Sequence, residues 1–303
     1  MRQSCFCYRS VRPRGAYRAV TLRCVGKATD ALQNIRGLIP VPTIIKIIEG
    51  KVDQLWATEG GKDRYVDAME FVVGRTERAG EVEDLARKYA VQQALRNYMR
   101  YKPRQITRQP VRGIEHLTTS RDASRPTILS FFHHHRFDGM FGSLKRAGAD
   151  LTVLVVEEGL DKNAFKILRQ HMKVVARGGR LIPAAGGTDA VVAALQPGVV
   201  LCIASDVPGR TPIDFLGRKV LGSFGAARAS TLADAPVVCV TSQQDGKGGN
   251  YLQLHEPLDP RDYPDPADLL AEIIRIQGEA VLAWPEALDF PLQRFGQVEE
   301  PPA

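Results

Sequence analysis

The sequence predicts an α/β fold, with helices flanking a mostly parallel central sheet and an N-terminal helical layer packed on it. Three observations predict this. Beyond Arg125-Pro126, short apolar runs alternate with helix-length amphipathic segments, the texture of strands joined by crossover helices. The N-terminal third shows helical spacing and no strand pattern. At 303 residues and 44% hydrophobic content, the chain buries a sizeable core without disulfides or metals.

In chain order, Val66, Met69 and Val73 recur at helical spacing, and Val82, Leu85, Tyr89 and Leu95 continue it after a break near Gly80. Pro103 is expected to end this helical region near residue 101. Thr127 to Phe132 reads as a buried strand and His133 to Ala147 as a helix. A strand at Leu151 to Val156 precedes a helix over Asp161 to Met172, with Asp161 placed to cap it. Thr188 to Leu195 reads as a helix and Gly198 to Ala204 as the next buried strand. A helix from Gly225 to Asp234 leads into a strand at Pro236 to Thr241. The glycine-rich turn Asp245 to Asn250 introduces an alternating strand at Asn250 to His255. A long helix spans Pro266 to Trp284.

The net charge of +7 is concentrated at one end. Residues 1 to 36 hold eight basic side chains against Asp30 alone, and the remainder balances at 33 basic and 33 acidic residues. The basic segment reads either as a disordered tail or as a patch for anionic headgroups. Base-reading motifs and RNA-binding aromatic signatures are absent, which argues against nucleic acid as a partner. The best apolar run, Leu38 to Ile48, is about half the ~20 residues a spanning helix needs. It is broken by Pro40, Pro42 and Lys46, and suits either a membrane interface or a core. Residues 85 to 114 carry eight basic side chains and no acid, with Tyr98 and Tyr101 interleaved. They read as a solvated face or a landing strip for phosphates. Five scattered cysteines, at 5, 7, 24, 202 and 239, fit a reducing cytoplasmic compartment.

The segment Ser130-Phe131-Phe132-His133-His134-His135-Arg136-Phe137-Asp138-Gly139 lies where a buried strand meets a helix. Open α/β sheets bind ligands at such carboxyl ends. An acid five positions after His133 is expected to reach its imidazole across the first helical turn, fixing one tautomer while the other nitrogen takes a proton from a hydroxyl. Three consecutive histidines also invite a metal reading. Adjacent residues diverge on a helix, however, and no HExxH or Cys/His spacing accompanies them.

This segment resembles the first signature block of the lysophospholipid acyltransferase superfamily, the His-x4-Asp dyad. Arg112-Gly113-Ile114-Glu115-His116-Leu117, Gln196-Pro197-Gly198, Ser205-Asp206-Val207-Pro208-Gly209-Arg210, Phe215-Leu216-Gly217, Ser223 to Ala229 and Pro236-Val237-Val238 resemble, in order, blocks of its bacterial branch. That branch contains the lipid A late acyltransferases and the phosphatidylinositol mannoside acyltransferases. His134, His135 and Arg136 depart from the Gly and Asn-Trp pattern usual between the dyad members, and Gln293-Arg294-Phe295-Gly296 stands for an Arg-Arg-Phe-Lys ending.

The resemblance implies a glycerolipid acyltransferase-like domain over residues 61–296, preceded by a basic segment at 1–60 and followed by a tail at 297–303. It implies His133 and Asp138 as the catalytic pair, acting without an acyl-enzyme, since no Gly-x-Ser-x-Gly elbow exists. Arg136, Asp206, Gly209, Arg210, Arg177 and Arg180 become substrate-binding candidates, with backbone amides near Gly209 facing the oxyanion. No cofactor is implied beyond an acyl-CoA or acyl-carrier protein co-substrate. The acceptor would be a glycolipid or lysophospholipid, and the site peripheral on the inner face of the cell membrane. A soluble acyltransferase acting on a small metabolite, and a non-catalytic lipid or acyl-carrier binding protein, are the rival readings.

Overall fold

The computed structural model describes residues 37–297. The basic segment up to residue 36, with Cys5, Cys7 and Cys24, lies outside the described residues, as do residues 298–303. The N-terminal helices are α1 (Val41–Trp56), α2 (Asp63–Val73), α3 (Val82–Met99) and the short α4 (Pro103–Ile106). Pro103 opens α4 rather than closing a helix, because its missing N–H is tolerated in a first helical turn.

There follow β1 (Val111–Arg112), β2 (Thr127–Phe131), α5 (Phe137–Arg146), β3 (Leu151–Val155), α6 (Glu157–Leu160), α7 (Lys166–Val175), β4 (Gly179–Pro183), α8 (Gly187–Ala194) and β5 (Val200–Ala204). A hairpin of β6 (Pro208–Phe215) and β7 (Arg218–Gly222) precedes α9 (Gly225–Ala233), β8 (Val237–Gln244) and β9 (Asn250–Leu254). The chain continues through α10 (Pro266–Ala283) and α11 (Pro291–Arg294) to β10 (Gly296–Gln297).

Among the described residues, seven strands form the central sheet in the order β1-β9-β8-β2-β5-β3-β4. Every pairing is parallel except β8 with β9, so the fold is α/β with a mostly parallel sheet. A smaller antiparallel sheet, β10-β7-β6, lies apart from it in hydrogen bonding.

The two faces of the sheet bury different sets of side chains, as strand alternation requires. Ile128, Leu201, Ile203, Val237 and Cys239 pack with α9, α10 and the N-terminal helices. Leu129, Phe131, Cys202, Val238 and Val240 pack with Phe137, Met140, Phe141 and Leu144 of α5 and Leu168 and Met172 of α7. In α1, Ile48 and Val52 are buried in the first of these cores, while Leu38 and Ile47 face outward at 80% and 44% exposure. Among the described residues no helix is long and apolar enough to cross a membrane.

Two sequence expectations are corrected here. Residues 133–136 are a loop, and the helix begins at Phe137. His135 adopts φ +47, a left-handed value that a regular helix excludes. The Asp161 carboxylate accepts from Asn163 N at 2.8 Å, an Asx-type turn, and the next helix starts only at Lys166.

Candidate active site

Phe131 of β2 pairs with Ala204 of β5. Parallel neighbours advance in step, so two residues further along each chain His133 and Asp206 face one another. The Asp206 carboxylate accepts twice from His133. Its Oδ2 takes the backbone N–H at 2.8 Å, and its Oδ1 lies 2.7 Å from Nδ1 of the ring. A carboxylate only accepts, so Nδ1 carries the proton and Nε2 keeps its lone pair. The His133 side chain is 18% exposed while Asp206 is 0% exposed. Phe137 stands edge-on to the ring, with centroids 4.5 Å apart.

Asp138 does not pair with His133, contrary to the expectation from spacing. Its Oδ2 accepts from Arg100 Nε at 2.8 Å and lies 3.5 Å from Nδ1 of His171. In α5 Asp138 sits in the first turn, facing α3 and α7 rather than the strand end. Burial pushes its carboxyl up, but His171 and Arg100 outweigh burial and hold it well below the usual range. Arg96 and Arg100, which the sequence placed on a basic surface strip, are both buried.

The three histidines diverge. His134 donates from Nε2 to Trp284 O at 2.9 Å, and His135 lies against the Trp284 ring at 4.1 Å. His135 N donates to Ala287 O, and Asp289 N donates to His133 O, each at 2.8 Å. The segment after α10 therefore braces the whole loop. Among the described residues no three His, Cys, Asp or Glu side chains converge as metal ligands.

A buried chain of charges continues from this brace. Arg96 forms an ion pair with Asp289. Arg294 donates to Asp289 O at 2.6 Å and to its Oδ2 at 3.2 Å, and its Nε lies 3.7 Å from Asp206 Oδ2. Burial and the nearby Arg294 lower the basicity of His133, and Asp206 only partly offsets them. Burial raises Asp206, but His133 and Arg294 more than reverse it, keeping the carboxyl below its ordinary value. The arrangement is a neutral imidazole oriented by an ionised carboxylate, which is the general-base half of triad chemistry.

The other candidates separate into near and far. Arg136 belongs to the same loop and is half-buried. Burial lowers its pKa, and the charge of nearby Asp138 only partly offsets this. Both carboxylate oxygens of Asp206 are engaged by His133. Gly209 and Arg210 fall in an irregularity between Pro208 and Thr211, and a Cβ on Gly209 would meet Gly222 O at 2.0 Å. That glycine therefore serves close packing of the hairpin. Arg177 lines a separate surface pocket of ≈ 280 Å³ with Tyr101, Lys102 and Arg104. Arg180 is exposed on the edge strand β4, three strands from β2.

Sequence reasoning missed Asp289 and Arg294 as site residues. Arg294 was visible only within a loosely matching block, and nothing local marks Asp289.

Neither a protein-family model nor a curated protein matches this chain. Among solved structures it is similar to the 1-acyl-sn-glycerophosphate (LPA) acyltransferase PlsC from Thermotoga maritima, at 14% identity and a TM-score of 0.41, over 82% of this chain and 96% of that one. At that degree of similarity, the residues of the site have to carry any functional assignment.

Proposed function

We propose that the chain is an O-acyltransferase that moves an acyl group from a thioester to a hydroxyl, with His133 as general base and Asp206 as its orienting acid. One observation carries this reading: a neutral, partly exposed imidazole is held at Nδ1 by a buried carboxylate.

Nε2 of His133 removes the proton of the acceptor hydroxyl as its oxygen attacks the acyl carbon. The tetrahedral intermediate collapses, the C–S bond breaks, and the departing thiolate recovers the proton from the imidazolium. Ester and free thiol result. A thiol leaves readily, so no enzyme nucleophile is required. Arg136, half-buried beside the base, suits a phosphate on donor or acceptor. The exposed Leu38 and Ile47 suit peripheral contact with a lipid surface, and a lysophospholipid or glycolipid acceptor fits such a location.

The test follows thiol release from palmitoyl-CoA with and without a lysophospholipid and a bacterial glycolipid extract, for wild type and His133→Ala. Acceptor-dependent release that falls about 10²–10⁴-fold in His133→Ala is expected, the usual worth of a positioned base. A folded His133→Ala variant of full activity sinks the mechanism. Absence of release with both palmitoyl-CoA and a palmitoyl-acyl-carrier protein sinks the acyltransferase reading.

A further inference from the structure

We propose that Arg294 is a positioning residue for the His133–Asp206 pair and that Asp289 clamps it for that task; the role rests on the reading of His133 as the base.

The geometry has one short segment gripping both members of the pair. The backbone N–H of Asp289 holds His133 O at 2.8 Å. Five residues on, Arg294 approaches Asp206 Oδ2 to 3.7 Å while two of its nitrogens are fixed on Asp289, at 2.6 and 3.2 Å. Asp289 is itself anchored from α3 by Arg96, whose Nη2 also donates to Ala287 O at 2.7 Å. A planar guanidinium satisfies such a fork at a fixed angle, which an ammonium on a flexible stem does not.

The consequence for Asp206 follows from which oxygen is engaged. Oδ2 faces the guanidinium and the His133 N–H, so Oδ1 is left to the imidazole Nδ1. Arg294, beyond hydrogen-bond distance of Asp206, sets its charge beside Oδ2, which favours this rotation and helps keep the carboxyl ionised. It also places a positive charge near the imidazole, which disfavours the imidazolium in the resting site.

The groups facing His133 are Asp206 after β5, Asp289 and Arg294 from the C-terminal segment, and His171 from α7. The rings of Phe131 and Phe137 complete the surroundings. Arg294 is the guanidinium of this set. Its side chain is 14% exposed, so solvent screens it only in part.

The experiment titrates the His133 ring by NMR in the full chain, its resonance identified by its loss in His133→Gln. Wild type, Arg294→Met and Arg294→Lys are compared, with melting curves and the pH profile of acyl transfer measured in parallel. Removing the charge is expected to raise the His133 pKa by about one unit or more. The acid limb of kcat should move the same way. At the optimum, kcat should fall about 10–100-fold through loss of orientation, with KM for donor and acceptor little changed. Arg294→Lys, keeping charge but not the fork, should lower kcat while leaving the titration nearly in place.

A folded Arg294→Met whose His133 titrates as in wild type overturns the proposal, whatever its activity. If Arg294→Met does not fold, an Arg294→Lys variant with undiminished kcat overturns it instead. A shifted titration in a protein that transfers no acyl group supports the positioning role and counts against the acyltransferase reading alone.

Discussion

His133 and Asp206 stand two residues past the paired Phe131 and Ala204, so their meeting is a property of strand register and not of sequence spacing. Spacing pointed to Asp138, five positions on, because a helical turn was expected to begin at His133. The loop is instead held open by bonds to Asp289 and Ala287, segments distant in sequence whose influence no local pattern carries. His133 itself was legible, as a histidine following a buried strand. Its acid was legible only as a candidate near the next strand end.

The two carboxylates are separable by experiment. Asp206→Asn should lower kcat about 10²–10⁴-fold with a near-native melting curve, since it removes the imidazole's orienting group. Asp138→Asn should instead leave the buried Arg100 without its carboxylate and cost about 3–5 kcal/mol of stability, with kcat of the folded fraction within about tenfold of wild type. Urea unfolding and initial rates on both variants decide the matter. Asp138→Asn as inactive as Asp206→Asn, at unchanged stability, restores Asp138 to the catalytic pair.

At the scale of elements, periodicity found most of the central sheet. The apolar runs that became β2, β3, β5 and β8 are buried over most of their length, and such strands stand out in any sequence. β4 did not stand out, because none of its residues is fully buried and glycine opens it. The β6–β7 hairpin was missed for a different reason. Its turn places Leu216 at φ +48 and Gly217 at φ +75, the positive pair a two-residue hairpin needs. Leucine is not a residue that advertises such a turn.

The packing of α5 against the β4 entry is tight enough to test. A Cβ on Gly178 would lie 2.1 Å from Phe141 Cβ and 2.2 Å from its carbonyl carbon. Backbone has to move to admit it, so Gly178→Ala should destabilise the chain by about 1–3 kcal/mol. The denaturant midpoint is the measurement. An unchanged midpoint would show that α5 and the β4 entry are looser than their separation implies.

For the whole molecule, the buried histidines give stability a defined dependence on pH. Burial lowers His134 from 6.5 to about 4, and His133, His135 and His171 are lowered as well. Below 6.5 the unfolded chain binds these protons and the folded chain does not, so stability is lost as pH falls from 6.5 toward 4. His134 alone contributes a loss on the order of 3 kcal/mol across that window. Urea midpoints at pH 7 and pH 4.5 measure it. His134→Phe, though less stable at pH 7, should lose less between the two. Equal losses in the variant and wild type would remove His134 as the cause.

The brace formed by residues 284–294 has a further consequence for a chain made from its amino terminus. β2 and β5, which present His133 and Asp206, leave the ribosome several seconds before Asp289 and Arg294 at about 5–20 residues per second. During that interval the β2–β5 register can bring both residues together, but the loop that carries His133 lacks its bonds to Ala287 and Asp289. A thioester that met the unfinished chain would find a base without its settings, and competence would wait for residues 284–294 to emerge.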